Sequence, residues 1–197
     1  MPELRADARR NRDELLDVAR QVIREEGVDA SLRDIARRAG VGIGTLYRHF
    51  PTREALLGAI IGEGVRRLSA RAADLSATRP PGPALEEWLT DVARRIGPYR
   101  GLPGTMLELV WDLEAGDKDL RVTCGEMMDA GRRLLARAQA DHAVRPDVTF
   151  DDVFTAVAAI SGIAHKSGQD SAARVLAVYL DGLRSAGAVP APAGQLS

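Results

Sequence analysis

Two glycines, Gly40 and Gly42, separate two short stretches of helical period, and nothing else in the chain constrains its fold as strongly. Upstream, the segment opened by Ser31 places Leu32, Ile35, Ala36 and Ala39 on one side, the spacing of an amphipathic helix. Downstream, residues 43–50 put Leu46 and Phe50 on one face at i and i+4. Ser31 and Asp34 have the spacing of a capping box, with Asp in place of the usual Glu. Gly40 closes the first segment, Gly42 lets the chain turn, and Pro51-Thr52 ends the second and caps the next helix. Two short helices joined by a tight turn have the layout of a helix-turn-helix, whose second helix enters the DNA major groove.

The remainder also reads as helix. Leu15, Leu16, Ala19, Val22 and Ile23 form the apolar face of a helix over about 7–26, closed by Gly27. Leu56, Leu57, Ile60, Ile61, Val65 and Leu68 mark a long helix over 53–77, and residues 78–83, rich in proline, read as a linker. Further helices are expected near 83–98, 103–115, 117–141, 150–167 and 170–187, with Thr149 and Asp152 forming a second capping box. No alternating strand pattern stands out. The chain is therefore expected to be all-α, with about nine helices. Residues 1–52 form a three-helix DNA-binding domain, the long helix 53–77 connects, 53–187 make a larger helical bundle, and 188–197 form a flexible tail.

Charge alone identifies no partner: 27 Lys and Arg face 28 Asp and Glu, and residues 1–56 hold eleven Arg against ten acids. DNA binding must then rest on the placement of a few donors, not on a basic field. The single cysteine, Cys124, excludes an intramolecular disulfide framework and a multi-cysteine zinc site, and fits a reducing compartment. His142 and His165 lack a second ligand at helical spacing, so no metal and no cofactor is expected. No nucleophile elbow, phosphate loop or paired acid motif is present, which argues against an enzyme. Charges interrupt every long apolar stretch, so a soluble, cytoplasmic protein without membrane contact is expected.

Within the second helix of the motif, Tyr47 and His49 lie away from Leu46 and Phe50, where their polar tips reach DNA phosphates. Arg53 adds a cation beside a helix N-terminus that already favours an anion. Thr45 offers a hydroxyl and a methyl to a phosphate, a base edge or a thymine methyl, and Arg33 can fork onto a guanine edge. Ser31 is first a helix cap and second a phosphate contact. Arg9, Arg10, Arg12, Arg37, Arg38 and Arg48 are mainly solvated, with one or two expected at phosphate.

The run from Ala39 through Gly-Val-Gly-Ile-Gly-Thr-Leu-Tyr-Arg-His-Phe-Pro-Thr-Arg-Glu-Ala-Leu to Leu57 resembles the signature of the tetracycline-repressor (TetR/AcrR) family of bacterial regulators. The resemblance is specific over about 9–65 and diffuse beyond. It implies phosphate contacts at Tyr47, His49 and Arg53, and base or groove contacts at Arg33, Ile43, Gly44 and Thr45. Gly42 departs from the Ser often found there, which weakens the cap of the recognition helix. The family also implies a homodimer joined through the last two helices, here with faces at Val153, Ala156, Val157, Ile160 and Ala164 and at Ala172, Val175, Leu176, Tyr179 and Leu183. It implies a repressor that binds a double-stranded DNA operator and is released by an unidentified small-molecule effector. An activator, a regulator that uses its ligand as co-repressor, a helical enzyme and a helical interaction module are the competing readings.

Trp88, Tyr99, Met106, Leu107, Trp111, Met127, Met128 and Phe154 are the candidate lining of an effector pocket between the bundle helices. Apolar side chains at this spacing more often simply fill a core, and that alternative stands beside the first.

Overall fold

The computed structural model describes residues 2–99, 101, 118–163 and 168–184, and among them side chains from Asn11 onward except those of 118 and 119. Three helices come first: α1 (Pro2–Glu26), α2 (Leu32–Arg38) and α3 (Ile43–His49). A long helix, α4 (Arg53–Thr78), leads into α5 (Pro81–Ile96), α6 (Lys118–Ala140), α7 (Phe150–Gly162) and α8 (Gln169–Leu183). The described residues contain no strand, only one isolated bridge between Val144 and Arg184. The described residues are all-helical, as the periodicity predicts. The helix expected over 103–115 lies outside the described residues, as do the tail and the ends expected beyond residues 163 and 184.

Several boundaries move for identifiable reasons. Helix α1 begins at Pro2, five residues before the expected start, because a proline at the first helical position gives up an N–H that has no intrahelical partner anyway. The same reasoning corrects the linker reading of 78–83. Pro81 and Pro83 fall within the first turn of α5, so only Arg79 and Pro80 separate it from α4. Helix α8 stops at Leu183, where the Leu183 carbonyl accepts from Arg145 N at 3.0 Å.

Gly27 ends α1 with φ of 100°, and Gly40 ends α2 with φ of 67°, a left-handed backbone where a Cβ is strained. Leu15, Ala19, Ile23, Ile35, Leu46 and Phe50 close a small core among α1, α2 and α3, continuous with Leu56 and Ile60 on α4. The other face of α4 packs against α5 and α6, and α5 against α7. Trp88 sits at the centre of this bundle, wholly buried, with Nε1 donating to the Leu68 carbonyl at 2.9 Å. Its ring lies 6.1 Å from that of Phe150. No helix among the described residues is long and apolar enough to cross a membrane.

Candidate nucleic-acid interface

Leu46 (fully buried) and Phe50 root α3 in the small core, which leaves the opposite side of this two-turn helix free. Tyr47 is 47% exposed, Arg48 is exposed, and His49 is half-buried with its ring 6.3 Å from that of Phe50. Gly44 is exposed, and a Cβ there would meet nothing within 4 Å. Thr45 is half-buried. Ile43 is also half-buried and packs against the core, so only part of its side chain remains for a thymine methyl. The cap of α3 is Gly42, without a side-chain hydrogen bond, as its residue type dictates.

On α2, Arg33 is exposed and makes no hydrogen bond or ion pair among the described residues. The other arginines there are engaged. Arg37 pairs with Asp34, while Arg38 pairs with Asp34 at 2.6 Å, Glu25 at 2.8 Å and Glu26. This explains a departure from the expected capping box. Ser31 occupies the cap position of α2 but its side chain makes no cap bond, and the Asp34 carboxylate, the reciprocal half of the box, turns toward the two arginines instead. The Arg37 hydrogen bond, helped by the charges of both arginines, holds Asp34 below the usual carboxylate range.

Arg53 takes an unexpected position. Its Nη1 donates to the carbonyls of Val28 and Ala30 at 2.7 and 2.8 Å, so the first residue of α4 ties down the loop between α1 and α2. Two guanidinium protons are used in this way, which leaves those on Nε and Nη2 for a phosphate. Arg12 lies over the Phe50 ring, 5.2 Å from its centroid.

A cavity of about 310 Å³ opens where α1 meets the bundle, bounded by α4, α5, α6 and α7 as well. Of the candidate lining residues Tyr99, Met127 and Phe154 border this cavity, and Trp88 and Met128 do not. Met106, Leu107 and Trp111 lie outside the described residues. Sequence reasoning does not single out Arg20, Arg24, Arg67 and Arg95, which also line this cavity, because an arginine on a polar helix edge carries no local sign of facing one. The only hint was the i,i+4 spacing of Arg20 and Arg24. A larger space of about 590 Å³ lies between α5, α7 and α8.

Residues 15–60 match the family model described as bacterial regulatory proteins, tetR family, and residues 80–185 match that of the transcriptional regulator SbtR-like C-terminal domain. A TetR transcriptional regulator from Streptomyces coelicolor is 36% identical, with 89% of this chain and 99% of that one covered and a TM-score of 0.60. A TetR regulatory protein from Mycobacterium vanbaalenii is also 36% identical, covering 92% of this chain and 99% of that one at a TM-score of 0.55. HTH-type transcriptional regulators of Staphylococcus aureus are 43% identical over 54 residues, 27% of this chain and 29% of theirs. The chain thus aligns with less than a third of the length of these curated relatives.

Proposed function

The chain belongs to the TetR family of bacterial DNA-binding transcriptional regulators, and on that premise we propose that it is a homodimeric repressor released from its operator by a small molecule. The observation that carries the reading is α3 itself: Leu46 and Phe50 are buried, while Tyr47 and Arg48 face solvent with no acidic partner among the described residues. In this reading residues 1–52 bind DNA. Tyr47, His49, Arg48 and the free edge of Arg53 anchor phosphates; Ser31 is a secondary phosphate contact. Arg33, Ile43, Gly44 and Thr45 meet the bases. Phosphate contacts set position and base contacts set sequence preference.

Dimerisation is supported by an outward stripe on the last two helices. Thr155, Ala159, Gly162 and Ile163 share one side of α7, and Val175, Val178 and Gly182 one side of α8. Val178 is 73% exposed and Val175 is 42% exposed. These are small and apolar surfaces of the kind that a second copy covers. Half of the ten residues expected there from sequence turn inward instead, and Ala164 lies outside the described residues. Val153, Val157, Ala172, Leu176 and Leu183 are buried within their own subunit. A two-fold dimer places two copies of α3 on two half-sites.

Release requires an effector that prefers one of two conformations. The cavity under α1 borders both the DNA-binding helices and the bundle, which suits that role. The test is selection of bound fragments from a random DNA pool by the purified full chain. A pseudo-palindromic site should be enriched, and recovery of no sequence preference overturns the reading.

A further inference from the structure

The cavity between α1 and the bundle has an apolar floor and a cationic mouth. Ile61, Leu68, Val92, Ile96, Met127 and Phe154 contribute the floor, while Arg20, Arg24, Arg67 and Arg95 line it against one carboxylate, Glu63. Two of the four arginines are matched by acids: Arg67 Nε donates to Glu63 at 2.8 Å, and Arg20 Nη1 to Asp17 at 2.7 Å. The other two are not. Arg24 Nη2 donates to the Tyr99 hydroxyl at 3.2 Å, and its guanidinium lies 5.2 Å from the centre of that ring. Arg95 has no acidic partner among the described residues. Its stem lies across Gly64, where an added Cβ would meet Arg95 Cδ at 3.2 Å, so the glycine lets this arginine lie close along α4.

Two guanidinium groups without counter-charge, set over an apolar floor, complement a molecule with an apolar body and one acid group. Resting on the reading of the chain as an effector-controlled regulator, we propose that this cavity binds an amphipathic monoanion, a carboxylate carried on an apolar chain or ring, with Arg24 and Arg95 holding the carboxylate. The body displaces water from Ile61, Met127 and Phe154. The carboxylate replaces the neutral Tyr99 hydroxyl as the acceptor of Arg24.

Occupancy is then felt by the DNA-binding helices, since Arg24 belongs to α1 and not to the bundle. One turn further on, Val28 lies against Gly101, where an added Cβ would fall 2.9 Å from Val28 Cγ2. The Val28 carbonyl in turn accepts from Arg53, the residue that starts α4 three positions after Phe50. A ligand that pulls Arg24 from Tyr99 therefore acts on the loop that seats α2 and α3.

The test is calorimetric titration of the full chain, without DNA, with sodium decanoate and separately with decanol, both below the concentration at which they aggregate. Decanoate should bind more tightly than decanol by at least about tenfold, the scale of a charge-assisted hydrogen bond. Arg95→Gln and Arg24→Gln should each erase most of that preference while leaving decanol affinity and the circular dichroism spectrum unchanged. Equal affinity for the two probes, binding of neither, or a preference that survives both substitutions overturns the proposal. A chain that selects an operator but fails this titration refutes the anion site alone; one that binds decanoate but selects no DNA refutes the regulator reading alone.

Discussion

Arg53 Nη1 and the carbonyl of Val28 meet at 2.7 Å, so the residue just beyond the recognition helix also holds the loop ahead of its supporting helix. The same nitrogen reaches the Ala30 carbonyl at 2.8 Å. Arg53→Ala should accordingly lose folding stability, by about 1–3 kcal/mol for two half-buried carbonyls left without their charged donor. It should also weaken operator binding, and the salt slope should fall by about one phosphate contact. Arg53→Lys separates the two effects, because an ammonium keeps the charge but not the planar fork. It should restore the slope and leave part of the stability loss. Urea denaturation and operator binding across a salt series measure both. An Arg53→Ala protein with unchanged urea midpoint refutes the tie to the loop.

Tyr47 and Arg33 should fail differently. Tyr47→Phe removes one exposed hydroxyl, so stability should hold while binding to every sequence weakens by about two- to tenfold. Arg33→Ala should instead relax preference at one base position of the half-site, at a cost of about 1–3 kcal/mol for the preferred base. Binding measured on an operator library distinguishes a uniform loss from a positional one. Uniform loss with Arg33→Ala would move that residue from the bases to the backbone.

The helix-turn-helix was legible because each of its signals is local. Leu46 and Phe50 are one turn apart, and two glycines stand where the chain must turn. What was not legible depends on partners distant in sequence. Asp34 has capping-box spacing from Ser31, yet Arg37 and Arg38 on the next turn draw it away, and Arg38 is itself held there by Glu25 and Glu26 from another helix. Arg53 looked like a surface cation because its acceptors lie more than twenty residues upstream. Trp88 looked like a pocket wall because burial by core and burial by ligand require the same residue types. Which side of α7 and α8 faces outward was not legible for a related reason: both helices are apolar on more than one face, and periodicity does not say which one is exposed.

Cys124 should be chemically silent in the folded protein. It is 1% exposed, and burial pushes its thiol up to about 11. At about pH 8 roughly a quarter of a free cysteine is thiolate, whereas this one is almost wholly protonated. A disulfide reagent such as Ellman's should release almost no colour from native protein and one equivalent after guanidinium unfolding. Rapid stoichiometric reaction of the native chain would contradict this burial.

Two glycines on α6 should respond to the same substitution with opposite signs. A Cβ at Gly131 would fall 2.5 Å from Phe150 Cε2 and 2.7 Å from Trp88 Cη2, both on rings that cannot retreat from the core. Gly131→Ala should cost about 1–3 kcal/mol by overpacking, more than the roughly 1 kcal/mol gained in helix propensity. Gly125 is exposed, and a Cβ there meets nothing within 4 Å. Gly125→Ala should therefore gain about 0.5–1 kcal/mol. Urea midpoints that move in the same direction would show that the Trp88–Phe150 contact is looser than its geometry implies.

The start of α7 supplies a pH-dependent element. Thr149 Oγ1 accepts from Asp152 N at 3.2 Å and donates to Asp152 Oδ2 at 2.6 Å, while Thr149 N donates to the same carboxylate oxygen at 3.0 Å. The Thr149 hydroxyl first, and its backbone N–H second, hold Asp152 below its ordinary value of 3.8. A carboxylate with a depressed folded pKa adds stability that is present above the unfolded value and is lost as pH falls through the folded one. Thr149→Ala should cost about 1 kcal/mol at neutral pH, the usual worth of a helix cap. Asp152→Asn should be less stable than the parent at neutral pH, with the gap closing as acid protonates the parent's Asp152. Thermal unfolding of both proteins from neutral to strongly acid pH measures the gap, and one that stays constant across that range shows that the carboxylate's charge contributes nothing to the cap.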